Sequence, residues 1–396
     1  MTERKSFKHL VRSRMARTGE SYSTARRHLL GESAVRTGGG TQHESALLRN
    51  VLGGRAGEPL LAGLAGGIGF MYFVFEYAGH HPTMTIVTRH HPDPYIPAAL
   101  RRAGISHEIS RTTSVRKAEA GLRRALADGP VICVVDRTKL PWHGLTGQWG
   151  PEAHSVGVLG VDGDTVLLDD ECVRPNPLPL NDFLAAWSPK HEMITIGAGW
   201  KPDVEDAIAT TCAHLTGPVL GNNFDVNFGF SGMRKLAGQL RDPKGKQGWA
   251  RRYADPGALF FALRRLHDCL EVEHGGPSAT RALYAEFLRE VGRPEAAELF
   301  DASGVLWSEV AARAVSATPA LAEYDDLVTE RLRLLLHEGA AGADAIRALT
   351  GRVDALEARM VADPPRAGAV RELFDGLADG VDAARELEER GVKLLN

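Results

Sequence analysis

Apolar positions recur at two different spacings along the chain, and the switch between them outlines its organisation. Up to about residue 198, short apolar runs of strand length alternate with helical stretches; beyond that point the spacing is helical almost throughout. In the first part, the second half of the run 60–75, residues 84–87, 131–135, 154–161, 165–170 and 193–196 read as strands. Asp162-Gly163-Asp164 between two of these runs is a tight-turn signal, so 154–161 and 165–170 are expected to pair as an antiparallel hairpin. Helical spacing enters after Thr41 and runs through Leu52, and returns at 94–103, at 114–127 and at 180–187. In 114–127, Val115, Ala118, Leu122 and Leu126 share one face. Residues 175–179 read as a proline-rich turn.

Gly197-Ala198-Gly199-Trp200-Lys201-Pro202 is the clearest boundary. After it, helices are expected at 203–215, from Gly232 through Leu240, and at 256–272, 278–291, 294–299, 305–315, 321–337, 341–361 and 365–395. Phe260, Leu263, Leu266, Leu270, Tyr284, Phe287, Leu288, Leu299, Phe300, Leu306 and Trp307 are their candidate core. The chain therefore divides into a basic helical extension (1–35), an α+β domain with an antiparallel sheet (36–198), a helical domain (199–330) and C-terminal helices (331–396) that leave a homodimer open.

Composition narrows the function classes. At 396 residues and 43% hydrophobic, the chain is long enough for two cores. The four cysteines, at 133, 172, 212 and 269, lie far apart with no Cys-x-x-Cys pair, which argues against both a disulfide framework and a zinc motif. Three of them read as core; Cys172, after two acids, reads as exposed. Residues 1–8 lead into charged residues with no apolar signal segment, and no run is long enough to span a bilayer, so a reduced, cytoplasmic chain with no membrane partner is expected. A net charge of −3 gives no ground for nucleic-acid binding, although the first 36 residues carry nine Arg or Lys against three Glu, in two expected short helices within 5–30.

Candidate chemistry gathers at two places. Thr37-Gly38-Gly39-Gly40-Thr41-Gln42-His43-Glu44-Ser45 is a flexible glycine run feeding a helix start, where unpaired amides can hold an anion. His154 opens one strand of the hairpin and Asp170 closes the other, which brings them together: the carboxylate can fix the imidazole tautomer and leave its second nitrogen toward a cleft. Asp169 faces the other way by strand alternation. Asp136 to His143, containing Leu140-Pro141-Trp142-His143, suits the lining of a cleft. The pairs His80-His81 and His90-His91 lack companion ligands at metal spacing, and the glycines of 63–69 fit neither phosphate-binding fingerprint, so no metal and no cofactor is expected.

The run Gly40 to Leu52 with Arg49-Asn50, the run Gly66 to Tyr72, the Leu-Pro-Trp-His loop, and His154 with Asp170 resemble the butirosin biosynthesis protein H family over roughly residues 36–330. The resemblance implies a papain-like, C39-like cysteine-enzyme fold followed by a helical domain. It also implies aminoacyl transfer from an acyl carrier protein to a small-molecule amine in antibiotic biosynthesis. In the family the helix opens with His-Cys-Glu-Ser/Thr, the cysteine being the nucleophile; here Gln42, His43, Glu44 and Ser45 stand at those positions. The resemblance therefore implies an acyltransferase-like protein without its thiol. In that reading His154 is the general base, Asp170 orients it, Gln42 and the nearby amides form the oxyanion site, and His43 is a nucleophile or second base. The alternative is a catalytically altered scaffold that binds a small molecule or carrier protein without turnover.

Overall fold

The computed structural model describes residues 37–145, 150–273 and 276–396; the two expected N-terminal helices lie outside them. In chain order the first elements are α1 (His43–Val51), α2 (Glu58–Leu64), β1 (Ile68–Phe75), β2 (Thr83–Arg89), α3 (Tyr95–Arg102), β3 (His107–Ser110), α4 (Val115–Ala125) and β4 (Val131–Asp136). Next come β5 (Ala153–Asp162), β6 (Thr165–Asp169), β7 (Asn176–Pro179), α5 (Leu180–Trp187) and β8 (Glu192–Ile196). Helices follow: α6 (Val204–Thr216), α7 (Gly229–Arg241), α8 (Trp249–Arg252), α9 (Pro256–Glu271), α10 (Arg281–Glu290) and α11 (Pro294–Val315). The last are α12 (Pro319–Glu338), α13 (Ala343–Gly351), α14 (Val353–Ala362) and α15 (Ala367–Leu395). None of the described helices is long and apolar enough to cross a membrane.

An antiparallel sheet region is thus followed by a large helical region, as the α+β reading expects. Two compact units are interleaved along the chain, whereas the sequence reading divides it consecutively. Among the described residues, one unit contains 37–57, 106–145, 150–198 and 331–350; the other contains 58–105, 199–273, 276–330 and 351–396.

The first unit is built on a six-stranded sheet of order β3-β8-β4-β5-β6-β7, antiparallel at every pairing. Val131, Cys133, Val135, Val156, Val158, Val166 and Leu168 supply an apolar face. Against that face pack Ala118 and Leu122 of α4, Phe183 and Trp187 of α5, Leu334 and Leu335 of α12, and Ile346 of α13. On the opposite face α1 lies close to β5: a Cβ at Gly157 would stand 3.0 Å from Leu47 and 3.1 Å from the Asp169 Cβ. Residues 176–179, expected as a proline-rich turn, are the edge strand β7, in which Pro177 and Pro179 pair with Leu167 and Thr165. An edge strand leaves one row of backbone groups unpaired, so proline's missing N–H is tolerated there.

The second unit holds the β1–β2 hairpin and the remaining helices. Expected helices at 294–299 and 305–315 are one continuous helix, α11. Gly304 does not end it but sits against the Arg281 side chain. Leu299 and Leu306 are half-buried, while the rest of the proposed helical core is buried. Arg281 and Glu388 form a fully buried ion pair through two guanidinium bonds of 2.8 and 2.9 Å, and Ser303 and Trp307 also donate to that carboxylate.

Candidate functional site

Strand register decides which acid meets His154. The hairpin closes on the pair Asp162 and Thr165, and an unbroken ladder from there would put Asp170 opposite Gly157, facing α1. A register shift between Val158 and Gly160 inserts one extra residue, so Asp169 opposes Gly157 and Asp170 falls on the face of Val156 and His154. The His154 Nε2–H donates to Asp170 Oδ1 at 2.8 Å. Asp170 is fully buried, and its second oxygen accepts from Trp142 Nε1 at 2.7 Å and from His143 Nε2 at 2.8 Å.

The Leu-Pro-Trp-His loop is aimed by Asp136. Its carboxylate accepts from the backbone and hydroxyl of Thr138 and from the backbone of Glu152, which closes the chain into two short helical turns ending at the left-handed Gly144. Trp142 and His143 then point inward to Asp170. The sequence marks His143 only as part of a cleft-lining loop; a histidine beside a tryptophan after an Asx turn is the available signal.

Asp169 does different work. Its carboxylate accepts from the Gly38 backbone at 2.6 Å and from Asn50 Nδ2 at 3.1 Å, while Arg49 Nη2 donates to the Gly38 carbonyl at 3.0 Å. The glycine run is thereby tied to the end of β6, and Gly38, at φ 55, lies so close to the Cys172 carbonyl that a side chain would overlap it. Cys172, read as exposed, is instead buried under this loop and the turn at Gly339, and burial pushes its thiol up. The other three cysteines are buried as expected.

At the start of α1, Gln42 is the N-cap: its side-chain oxygen accepts from the Ser45 backbone and hydroxyl, both at 2.7 Å. The cap uses the side-chain oxygen, while the Gln42 Nε2 donates to Glu44 Oε2 at 3.2 Å. His43, the first helical residue, meets β5: its Nε2–H donates to the Ser155 carbonyl at 2.7 Å. Its ring stacks on that of His154 with centroids 4.4 Å apart and planes 11° from parallel, and its Nε2 is 4.0 Å from Asp170 Oδ1. Glu171, in the left-handed region at φ 32, completes the group. Sequence reasoning missed Glu171, because only a strained turn after β6 brings its carboxylate to the site.

The electrostatics are asymmetric. Burial pulls His154 down, and its neighbours His43 and His143 push the same way, so its pKa falls to about 4 despite the Asp170 charge. Burial also pulls His43 down, but Glu171, Asp170, the Ser155 carbonyl and Glu44 outweigh it and the net shift is upward. Burial would raise Asp170, yet His154 and His143 hold it well below the usual carboxylate range. Burial raises Asp169 to about 6. A neutral His154, a cation-favouring His43 and an ionised Asp170 stand in contact.

Residues 42–171 match the family described as Butirosin biosynthesis protein H, N-terminal. That span contains α1, Trp142, His143, His154, Asp170 and Glu171, with His43 where the resemblance implies a nucleophilic cysteine. No curated protein shows a significant match to the chain.

Proposed function

We propose that the matched region is a papain-like, C39-like scaffold of secondary metabolism with altered chemistry, binding a small molecule or a carrier protein without turning it over. The stacked His43 carries this reading: where a thiolate would attack a carbonyl, an imidazole lies flat on His154 with its Nε2–H engaged by Ser155. Two further features point the same way. A general base works best near the operating pH, and His154 at about 4 is a weak one. The carboxylates of Asp170 and Glu171 beside His43 would also oppose an oxyanion forming there.

The test uses the full chain with an aminoacyl pantetheine thioester and an amine acceptor, beside calorimetric binding of a pantetheinylated carrier protein. Expected are no thioester consumption above buffer, no acyl adduct by intact mass, and retained carrier binding. His43→Cys is expected to gain the acyl adduct, since it places a thiol next to His154. The His154–Asp170 pair favours the second reading, an acyltransferase in which His154 activates the acceptor directly. Turnover by the wild type that disappears in His154→Ala would establish that reading and sink the first. Absence of both binding and turnover would remove the ligand from the proposal.

A further inference from the structure

Imidazole and carboxylate donors crowded around one buried spot have the chemistry of a cation site. His43, His154, Asp170 and Glu171 each offer one donor atom, and the four atoms lie within 4.8 Å of one another. No other group of three or more such ligands occurs among the described residues. We infer that this cluster holds a divalent first-row transition metal ion of the zinc class, at the position where the family resemblance implies thiol chemistry. The inference rests on the reading that the site no longer runs nucleophilic catalysis through an enzyme thiol.

The donor set selects the class of ion. Two imidazoles with two carboxylates suit Zn2+ and its neighbours, whereas Ca2+ and Mg2+ favour all-oxygen cages. The spacing brackets what such an ion needs: donors about 2.0–2.2 Å from zinc sit roughly 3.3 Å from each other in a tetrahedron. His154 Nε2 is 2.8 Å from Asp170 Oδ1, and His43 Nε2 is 4.0 Å from that same oxygen. An ion between His154 and Asp170 would replace the proton they now share and widen the first gap slightly. Parallel rings do not aim their lone pairs at one point, so loading turns one imidazole out of the stack. His43 is the one free to turn, being the more exposed of the two and held at its ring by a single carbonyl.

The surroundings match a metal site's outer layer. Trp142 and His143 hold Asp170 by Oδ2 and direct Oδ1 into the cluster, the arrangement that orients a ligating carboxylate. Glu171 reaches the cluster from a left-handed backbone conformation that a non-glycine residue adopts at a cost, and such strain concentrates at ligand-binding positions.

The experiment strips the full-length protein with chelator and titrates it with Zn2+ by calorimetry and with Co2+ by visible absorption. One ion per chain is expected, with a cobalt band of a low-coordinate nitrogen and oxygen site that Zn2+ displaces. His43→Ala and Glu171→Gln should each weaken Zn2+ binding at least about tenfold. His43→Cys should retain it, because a thiolate is itself a zinc ligand. His81→Ala should change nothing; His81 is a half-exposed histidine near Glu357 and Asp255, outside the cluster. Circular dichroism checks each variant, and Glu171→Gln with His43→Cys decides the matter if His43→Ala misfolds. Substoichiometric binding by the wild type, or equal affinity in wild type and Glu171→Gln, overturns the inference. Thioester turnover by chelator-stripped protein would overturn the proposed function instead, so the two failures are distinguishable.

Discussion

Gly38 carries no functional group, yet the geometry of the site depends on its having no side chain. Its backbone is left-handed, its N–H is held by Asp169, and its Cα lies against the Cys172 carbonyl. Gly38→Ala combines backbone strain with a clash against main chain, which cannot move aside as a flexible side chain can. A loss of about 2 kcal/mol or more is expected, read as a lower urea midpoint at unchanged m. An unaltered midpoint would show that the glycine run is not clamped as described. At this scale the sequence revealed His154 and Asp170, because a tight turn between two alternating runs fixes which strand ends meet. It did not reveal that a single extra residue near Leu159 assigns Asp170 to His154 and Asp169 to Gly38. A bulge leaves no periodic signature of its own. Nor could spacing indicate that Gln42 would cap its own helix, since N-caps are usually Ser, Thr, Asp or Asn.

Between elements, the clearest energetic demand is the pairing of α10 and α15 through Arg281 and Glu388. Arg281 is fully buried; besides Glu388 it donates to the carbonyls of Thr88 and Ala279. Ala279 is one of three consecutive non-glycine residues, Ser278 to Thr280, with left-handed backbones, so the guanidinium also secures a strained turn. Glu388→Ala leaves that cation buried without a counter-charge and should cost about 3–5 kcal/mol in denaturant unfolding. The double variant Arg281→Met with Glu388→Leu removes the isolated charge and should be more stable than Glu388→Ala alone. A double variant less stable than the single one would mean that the turn, and not the uncompensated charge, dominates. This pairing was invisible in the sequence, because a buried glutamate on a charged terminal helix has the same pattern as a solvated one. The helices themselves were legible, since a 3.6-residue period survives partial exposure. The gap expected between 299 and 305 is absent, and within it the missing side chain of Gly304 makes room for Arg281.

For the molecule as a whole, buried imidazoles contribute to the loss of stability in acid. His214 donates from Nε2 to the His91 carbonyl at 2.7 Å, while its Nδ1 meets no hydrogen-bond partner. Burial, with His90, His91 and Arg281 nearby, lowers its pKa from 6.5 to about 3 against the pull of that carbonyl. The unfolded chain takes up a proton at His214 as pH falls through about 6.5, and the folded chain does not until about 3. Its contribution is therefore complete above 6.5 and is lost progressively on acidification below it. His154, at about 4, acts in the same direction, whereas Asp169, raised to about 6, acts against them by taking up its proton earlier in the folded state. Between pH 4.5 and 6, removing His214 should thus subtract about one proton from the linkage, or roughly 1.4 kcal/mol per pH unit of slope. His214→Gln keeps a donor for the His91 carbonyl, so urea unfolding of this variant and the wild type across that range isolates the titration from the lost bond. A shallower acid limb in the variant is the expected result; parallel limbs would mean that His214 is already protonated in the folded protein or exposed on a local opening, and the buried-imidazole account would fail.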